Sequence, residues 1–232
     1  MKKLLMLHGA IGAANQLDKL KEELKDKFEI YTLNFSGHGG TEIPAKKFSI
    51  ELFADDVLKF LNKNKLDKID VYGYSMGGYV ALYIAAKYPG KLNRIFTTAT
   101  KFDWNEESSV KESKMLNPAK IEEKIPAFAK ALETRHSPQG PSDNWKVVLK
   151  KTAEMMIDLG KNPLLNDDVF SKIENECVIS VGDKDTMVSL EETANAAGKI
   201  KNAKLFIFSD TEHPIEKIDV KKLSTEIKNF LQ

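Results

Sequence analysis

One serine of this 232-residue chain stands in a setting that favours nucleophilic chemistry. Residues 73–77 read Gly-Tyr-Ser-Met-Gly, after the apolar run 69–72 and before the helix-like run 79–86. We interpret these segments as a strand, a tight turn and a helix, because the glycines stand where a side chain would collide with its neighbours. Such a turn lifts the Ser75 hydroxyl out of the sheet edge and aims the first helical amides at developing negative charge. Ser75 is therefore the candidate nucleophile.

The elements that must position Ser75 follow a regular alternation along the chain. Short apolar runs alternate with segments of helical periodicity, so Ser75 lies inside a strand–helix–strand unit. The predicted strands are 4–7, 30–35, 69–72, 95–98, 178–181 and 205–208. The predicted helices of this pattern are 17–25, 50–61, 79–87, 190–197 and 220–231. The alternation predicts an α/β fold with a six-stranded, mostly parallel sheet flanked by helices.

One connection, between residues 101 and 173, carries no convincing strand. Three helix-like stretches fill it instead, and they are 106–116, 121–133 and 145–159. We therefore predict a core made of residues 1–100 and 174–232, with 101–173 as a helical insertion after the fourth strand. Most apolar side chains of the insertion should pack it onto the sheet, while others line a pocket. The candidates for the pocket wall are Phe102, Trp104, Phe128 and Trp145.

Composition and charge exclude several classes of partner. The chain has 35 basic and 34 acidic side chains with interleaved signs, so we expect no nucleic-acid-binding face. The apolar run at 4–7 is too short for a signal peptide or a membrane span, and we expect no membrane association. The single cysteine, Cys177, lies in a strand-like stretch and is expected to be a buried structural thiol. These features favour a reducing, cytoplasmic location.

The order of these features resembles the α/β-hydrolase superfamily, in particular its serine esterase-like and lipase-like members with a helical cap. The glycine-flanked serine follows the third strand, the insertion follows the fourth, and the likeness extends over the whole chain. The resemblance implies the α/β-hydrolase fold, a nucleophile elbow at Ser75, and a catalytic triad in the order serine, acid, histidine. Because the chain starts beside its first parallel strand, we expect six parallel strands without the antiparallel pair that opens the family's full sheet.

The resemblance also implies the other two triad residues. Residues 181–188 resemble the family's G-x-x-D-x-x-V signature, which places the acid at Asp185. Asp183 is the alternative, and its expected role is to cap the loop. The base is implied to be His213, the only histidine in the C-terminal third.

The surroundings of His213 depart from the family pattern. The family usually has glycine before this histidine and proline two positions after it, whereas this chain has Glu212 before it and Pro214 directly after it. Glu212 either faces solvent, which is the favoured interpretation, or lies near the imidazole and raises its basicity.

Two further segments carry the resemblance. Residues 7–12 resemble the family's H-G-x oxyanion segment, which implies that the backbone N–H groups of Ala10 and Met76 bind the oxyanion. His8 is then expected to hydrogen-bond loop backbone rather than substrate. Residues 36–40 resemble the family's G-H-G turn, which makes His38 a turn residue.

The remaining patterns indicate no cofactor. His136 is expected in a surface loop of the insertion, and no two histidines are spaced to bind a metal ion. The glycines around Ser75 form neither a dinucleotide-binding motif nor a lysine-bearing phosphate loop. We therefore predict a protein without metal or nucleotide cofactor.

The resemblance implies a serine hydrolase that cleaves a carboxylic ester or thioester of a small, largely apolar substrate through an acyl-enzyme. A serine at the elbow argues against dehalogenases and epoxide hydrolases, which use aspartate there. Hydrolysis of a carbon–carbon bond, cofactor-free perhydrolysis or haloperoxidase activity, and non-catalytic binding of a small ligand stay open. The sequence specifies neither the substrate nor an oligomeric state.

Overall fold

The computed structural model describes residues 1–138 and 140–232. Its described strands form one sheet, all parallel, in the order β2-β1-β3-β4-β5-β6. They are β1 (Lys2–Leu7), β2 (Phe28–Thr32), β3 (Ile69–Tyr74), β4 (Leu92–Thr98), β5 (Cys177–Gly182) and β6 (Ala203–Phe208). The prediction of a six-stranded parallel sheet is confirmed. Only β2 is displaced from its predicted range of 30–35. Its pairing with β1 ends at Thr32, and the chain leaves the sheet there.

Helices cover both faces of the sheet. In the described residues they are α1 (Asp18–Leu24), α2 (Ile50–Lys63), α3 (Met76–Lys87), α4 (Glu106–Met115), α5 (Pro118–Lys124), α6 (Pro126–His136), α7 (Asn144–Lys161), α8 (Asp167–Phe170), α9 (Leu190–Lys199) and α10 (Val220–Leu231). Short 3-10 helices occupy Ala14–Leu17 and Ile215–Lys217. No described helix is both long and apolar enough to cross a membrane.

The strand residues alternate between two hydrophobic layers. Leu5 and Leu7 of β1 belong to the layer that contains α2, α3 and α9, whereas Leu4 and Met6 belong to the layer with α1 and α10 on the opposite face. This alternation follows from the two-residue period of a strand, and it buries both faces, as parallel sheets require. Cys177 of β5 is fully buried in the first layer, and burial raises the pKa of its thiol to about 12. The cysteine is thus part of the core.

The described residues between β4 and β5 form five helices, α4 to α8. The helix predicted over 121–133 is divided at Pro126 into α5 and α6. Proline lacks the N–H group that would continue the helix and disfavours helical geometry in the preceding residue, and Ile125 has φ −138° and ψ 60°. The short helix α8 was not predicted. A separate apolar cluster holds α5, α6 and α7 together, and its buried members are Ile121, Ala129, Leu132, Trp145 and Leu149.

Candidate active site

Ser75 forms a strained turn between β3 and α3. Its φ of +50° with ψ −118° lies in a region that residues other than glycine rarely adopt. A Cβ atom on Gly73 would lie 2.5 Å from Gly78 Cα, and one on Gly77 would lie 2.4 Å from the carbonyl oxygen of Leu7. The glycines flanking Ser75 are therefore required by close backbone approach.

Neighbouring strand ends hold the turn in this conformation. The Ser75 N–H donates to the carbonyl oxygen of Thr98 at 2.9 Å, and the hydroxyl of Thr100 donates to the carbonyl oxygen of Ser75 at 3.1 Å. Both partners lie at or just beyond the carboxyl end of β4. These hydrogen bonds to the end of β4 offset the local strain and fix the position of the Ser75 backbone.

His213 and Asp185 meet on the loops that follow β6 and β5. The Nδ1 atom of His213 lies 2.8 Å from Oδ2 of Asp185, whose side chain is fully buried. The other carboxylate oxygen, Oδ1, accepts hydrogen bonds from the amides of Met187 (2.8 Å) and Val188 (2.9 Å). Both oxygens of a buried carboxylate are therefore satisfied, and its orientation toward the imidazole is fixed.

The two neighbouring acids take other positions. Asp183 is exposed, and its Oδ1 accepts a hydrogen bond from the Thr211 amide at 3.2 Å. Glu212 is exposed and accepts a hydrogen bond from Lys217 Nζ at 2.6 Å. Asp183 therefore joins the two loops, and Glu212 pairs at the surface instead of with the imidazole.

Tyr74 is a positioning group that the sequence reasoning missed. Its hydroxyl donates to the carbonyl oxygen of His213 at 2.9 Å. Tyr74, the residue before Ser75, therefore anchors the backbone of the loop that carries His213. Burial raises the pKa of the phenol far above its usual range, which keeps the O–H donor intact. The only signal in the sequence was a hydrogen-bonding aromatic residue between Gly73 and Ser75.

The two predicted oxyanion donors lie on segments that converge beside Ser75. Ala10 belongs to the loop after β1, Met76 is the first residue of α3, and both contribute to the cavity that contains Ser75. Neither backbone N–H donates to another described residue. Unpaired amides at a helix start and in a loop can bind negative charge.

Ser75 and His213 share a cavity of about 270 Å³. Of the insertion residues predicted for its wall, Trp104 and Phe128 contribute to it. Phe102 lies instead in the main core, where its ring contacts Phe170 at 5.7 Å between centroids, and Trp145 lies in the insertion's own cluster. Apolar side chains dominate the wall, and those from α7 are Met155, Met156 and Leu159.

Two of the histidines set aside in the sequence analysis anchor loops near Ser75. His8 is fully buried, accepts a hydrogen bond from the Phe35 amide at Nε2 (3.2 Å), and therefore donates from Nδ1 to the carbonyl oxygen of Gly9 (2.8 Å). This agrees with its expected contact to loop backbone. His38, expected only as a turn residue, is also fully buried, and its ring packs against Phe48 and Phe53.

The prediction for His136 is wrong. Instead of a surface loop, the residue occupies the end of α6 and is 2 % exposed. Its Nδ1 accepts from the Gly39 amide (3.1 Å), so Nε2 donates to the carbonyl oxygen of Ile11 (2.8 Å). Burial lowers the pKa values of His8 and His136 to about 4 and that of His38 well below its usual range. His136 thereby ties the insertion to the loop that carries Ala10.

A family model described as the alpha/beta hydrolase fold matches residues 2–119, which include Ser75 and Ala10. The chain belongs to this family. A pimeloyl-[acyl-carrier protein] methyl ester esterase of Neisseria meningitidis serogroup C is 32% identical over 100 residues, which are 43% of this chain and 37% of the esterase. The chain thus matches only about a quarter to somewhat over a third of the length of the first such relatives.

Solved structures match over nearly the full chain. A thermophilic esterase from Thermogutta terrifontis has a TM-score of 0.77 at 21% identity, covering 100% of this chain and 89% of that one. MenH from S. aureus has a TM-score of 0.75 at 23% identity, covering 99% and 93%. At these identities the likeness shows the shared fold, and the activity has to be argued from the residues around Ser75.

Proposed function

We propose that this chain is a serine hydrolase that cleaves a carboxylic ester or thioester of a small, largely apolar substrate. The observation that carries the proposal is the 2.8 Å contact between His213 Nδ1 and Asp185 Oδ2, made by a histidine that shares a cavity with Ser75. Family membership and the partial match to a methyl ester esterase support the same chemistry.

In the proposed first half-reaction, His213 takes the hydroxyl proton of Ser75 while Oγ attacks the substrate carbonyl carbon. The backbone amides of Ala10 and Met76 donate to the oxyanion that forms. When the tetrahedral intermediate collapses, the alcohol or thiol leaves with the proton from His213, and the acyl group stays on Oγ. Asp185 holds the imidazole in the Nδ1–H tautomer and stabilises its charged form.

In the second half-reaction, His213 accepts a proton from a water molecule, whose oxygen attacks the acyl carbon. The same amides donate to the second oxyanion, and its collapse returns the proton to Ser75 and releases the carboxylic acid. The reaction consumes one water and needs no other reactant.

We also propose that helices α4 to α8 form a cap that selects the substrate. Trp104, Phe128 and the α7 side chains of the wall support this role, since they come from the insertion and face the same cavity as Ser75. A volume of about 270 Å³ suits an acyl or alcohol group of moderate size better than a long chain.

A fluorophosphonate probe tests the nucleophile directly. We expect one covalent adduct, located on Ser75 by peptide mass spectrometry and absent from Ser75→Ala. Ser209→Ala, which alters an exposed serine, is the matched control and should react like the wild type. An unlabelled wild-type protein would contradict the proposal and favour non-catalytic ligand binding.

A substrate screen then separates the reaction types that share such a triad. We expect turnover of 4-nitrophenyl esters and acyl thioesters with a preference for medium acyl chains. Cleavage of a β-diketone without cleavage of esters would point to carbon–carbon bond hydrolysis. Peracid formation from a carboxylic acid and hydrogen peroxide, or halogenation when a halide is added to these two, would point to perhydrolase chemistry.

A further inference from the structure

Glu112 is a buried acidic residue that contributes to the Ser75 cavity. Glu112 is 3 % exposed, and its Oε2 atom has no hydrogen-bond partner among the described residues. The same residue contributes to the cavity that holds Ser75 and His213. A buried polar oxygen without a partner costs free energy comparable to a lost hydrogen bond, so the structure calls for a group that satisfies it.

The packing of α4 explains why Glu112 is held at this place. Ser109 and Glu112 lie one turn apart on the buried face of α4, which rests on α7. A Cβ atom on Gly160 of α7 would lie 2.1 Å from the Ser109 hydroxyl oxygen, so the two helices are in close contact there. One turn beyond Glu112, Leu116 again contributes to the cavity. Glu112 therefore projects from a well-packed helix pair.

The two basic side chains of the cavity are engaged elsewhere. Lys101 Nζ donates to the carbonyl oxygen of Met187 (3.2 Å) and lies 3.8 Å from a Glu192 carboxylate oxygen. Arg135 donates to the carbonyl oxygen of Ile11 (3.0 Å) and pairs with Glu216. Among the described residues, no Lys, Arg or His nitrogen lies within 4.0 Å of the Glu112 carboxylate. The Glu112 carboxylate thus lacks a cationic neighbour in the described part of the chain.

We propose that Glu112 is a specificity-determining residue that binds a primary ammonium group of the substrate. An ionised carboxylate can only accept hydrogen bonds, and a cationic donor satisfies and neutralises it better than a neutral one. The apolar walls from α7 suit an aliphatic spacer between that ammonium and the ester carbonyl. This inference rests on the proposed ester hydrolysis and narrows it to esters with a short, amino-terminated aliphatic group.

Binding can be tested without chemistry, in the Ser75→Ala background. Hexylammonium chloride should raise the Tm of Ser75→Ala more than 1-hexanol at the same concentration, because only the ammonium pairs with Glu112. Adding Glu112→Gln should abolish that difference, since glutamine keeps the shape and removes the charge. Adding Glu107→Gln, an exposed acid on the same helix, should keep it. The proposal would be overturned if the difference between the Tm shifts with hexylammonium and 1-hexanol were the same in Ser75→Ala and in its two double variants.

Kinetics with two isosteric esters give the second readout. The wild type should favour 4-nitrophenyl 6-aminohexanoate over 4-nitrophenyl heptanoate by about tenfold or more in kcat/KM, in line with hydrogen bonds to charged groups. Glu112→Gln should bring this ratio close to one, Glu107→Gln should keep it, and Glu112→Asp should restore part of it. A ratio that Glu112→Gln does not change would overturn the assignment.

The two experiments separate this inference from the proposed function. An ammonium-specific Tm shift that depends on Glu112, without hydrolysis of either ester, would support the Glu112 site and contradict ester hydrolysis. Hydrolysis of both esters with equal kcat/KM would support ester hydrolysis and contradict the Glu112 site. Circular dichroism of each variant verifies that it is folded, and Glu112→Asp carries the test if Glu112→Gln does not fold.

Discussion

Asp185 Oδ2 and His213 Nδ1 lie 2.8 Å apart, although 27 residues separate the two positions in the chain. The parallel strands β5 and β6 are neighbours, so the loops after their carboxyl ends meet at one edge of the sheet. The carboxylate of Asp183 is only two residues away in sequence, yet it accepts from the Thr211 amide instead.

This arrangement predicts that the two aspartates differ sharply in their contribution to catalysis. Asp185→Ala should lower kcat by about 10³- to 10⁴-fold, because the imidazole loses the group that sets its tautomer. Asp183→Ala should lower kcat by less than about tenfold and cost about 1 kcal/mol of stability through the lost loop contact. Steady-state kinetics of both variants, with circular dichroism as a folding control, test the ranking. The reverse order would move the acid to Asp183.

The two tryptophans of the insertion should respond differently to truncation. Trp145→Ala removes a side chain that is 3 % exposed from the insertion's apolar cluster, so it should cost about 3–5 kcal/mol of unfolding free energy. Trp104→Ala removes part of the cavity wall and enlarges the cavity, so it should shift the preferred acyl chain to greater length. Its loss of stability should be smaller than that of Trp145→Ala. Chemical denaturation and an ester chain-length series distinguish the two. An unchanged chain-length profile in Trp104→Ala would argue against a cap that selects substrate.

Replacing glycine with alanine should lower the free energy of unfolding at one position and raise it at another. In Gly77→Ala the new methyl group would lie 2.4 Å from the Leu7 carbonyl oxygen, so we expect a loss of about 1–3 kcal/mol or more and a displaced elbow. Gly198 is exposed within α9 and a Cβ there meets no atom within 4 Å, so Gly198→Ala should stabilise the protein by about 0.4–1 kcal/mol. Urea unfolding of both variants measures the difference. A stabilising Gly77→Ala would refute the tight packing inferred at the elbow.

Acid should destabilise the protein through its buried histidines. The unfolded chain protonates His8 and His136 below pH 6.5, whereas burial keeps both neutral in the folded state down to about pH 4. The free energy of unfolding is therefore not reduced by these histidines above pH 6.5. It falls as the pH drops toward 4, and each histidine accounts for a loss on the order of 3 kcal/mol. Unfolding free energies measured between pH 7 and 4.5 test this decline.

His136→Asn gives a matched control for the acid effect. The amide side chain does not titrate, and its oxygen can still accept a hydrogen bond from the Gly39 amide, as Nδ1 of His136 does. We expect a shallower decline in stability with pH for this variant than for the wild type. Identical slopes in the two proteins would exclude His136 as a source of the pH dependence.

The sequence by itself determined the architecture and the candidate nucleophile, because both have local signatures. The glycines beside Ser75 indicate close backbone approach within a few residues. The alternation of apolar runs with segments of helical periodicity indicates a parallel sheet. Proline at 126 also carried a local signal, since it cannot continue a helix, and the division of α5 from α6 could have been foreseen there. The assignment of Asp185 and His213 needed, in addition, the order of elements shared with a known family.

Only the tertiary structure decided what the insertion does around Ser75. His136 and Ile11 are 125 residues apart, and their contact depends on how α6 settles on the loop after β1. Glu112 sits on a helix whose local sequence is rich in charge, and nothing nearby in the chain marks this one acid as buried. Burial and contact across long separations depend on how whole elements pack, whereas turns, strands and helix ends are set by neighbouring residues. For that reason the sequence located the candidate nucleophile, while the fold determined which polar groups lie near it.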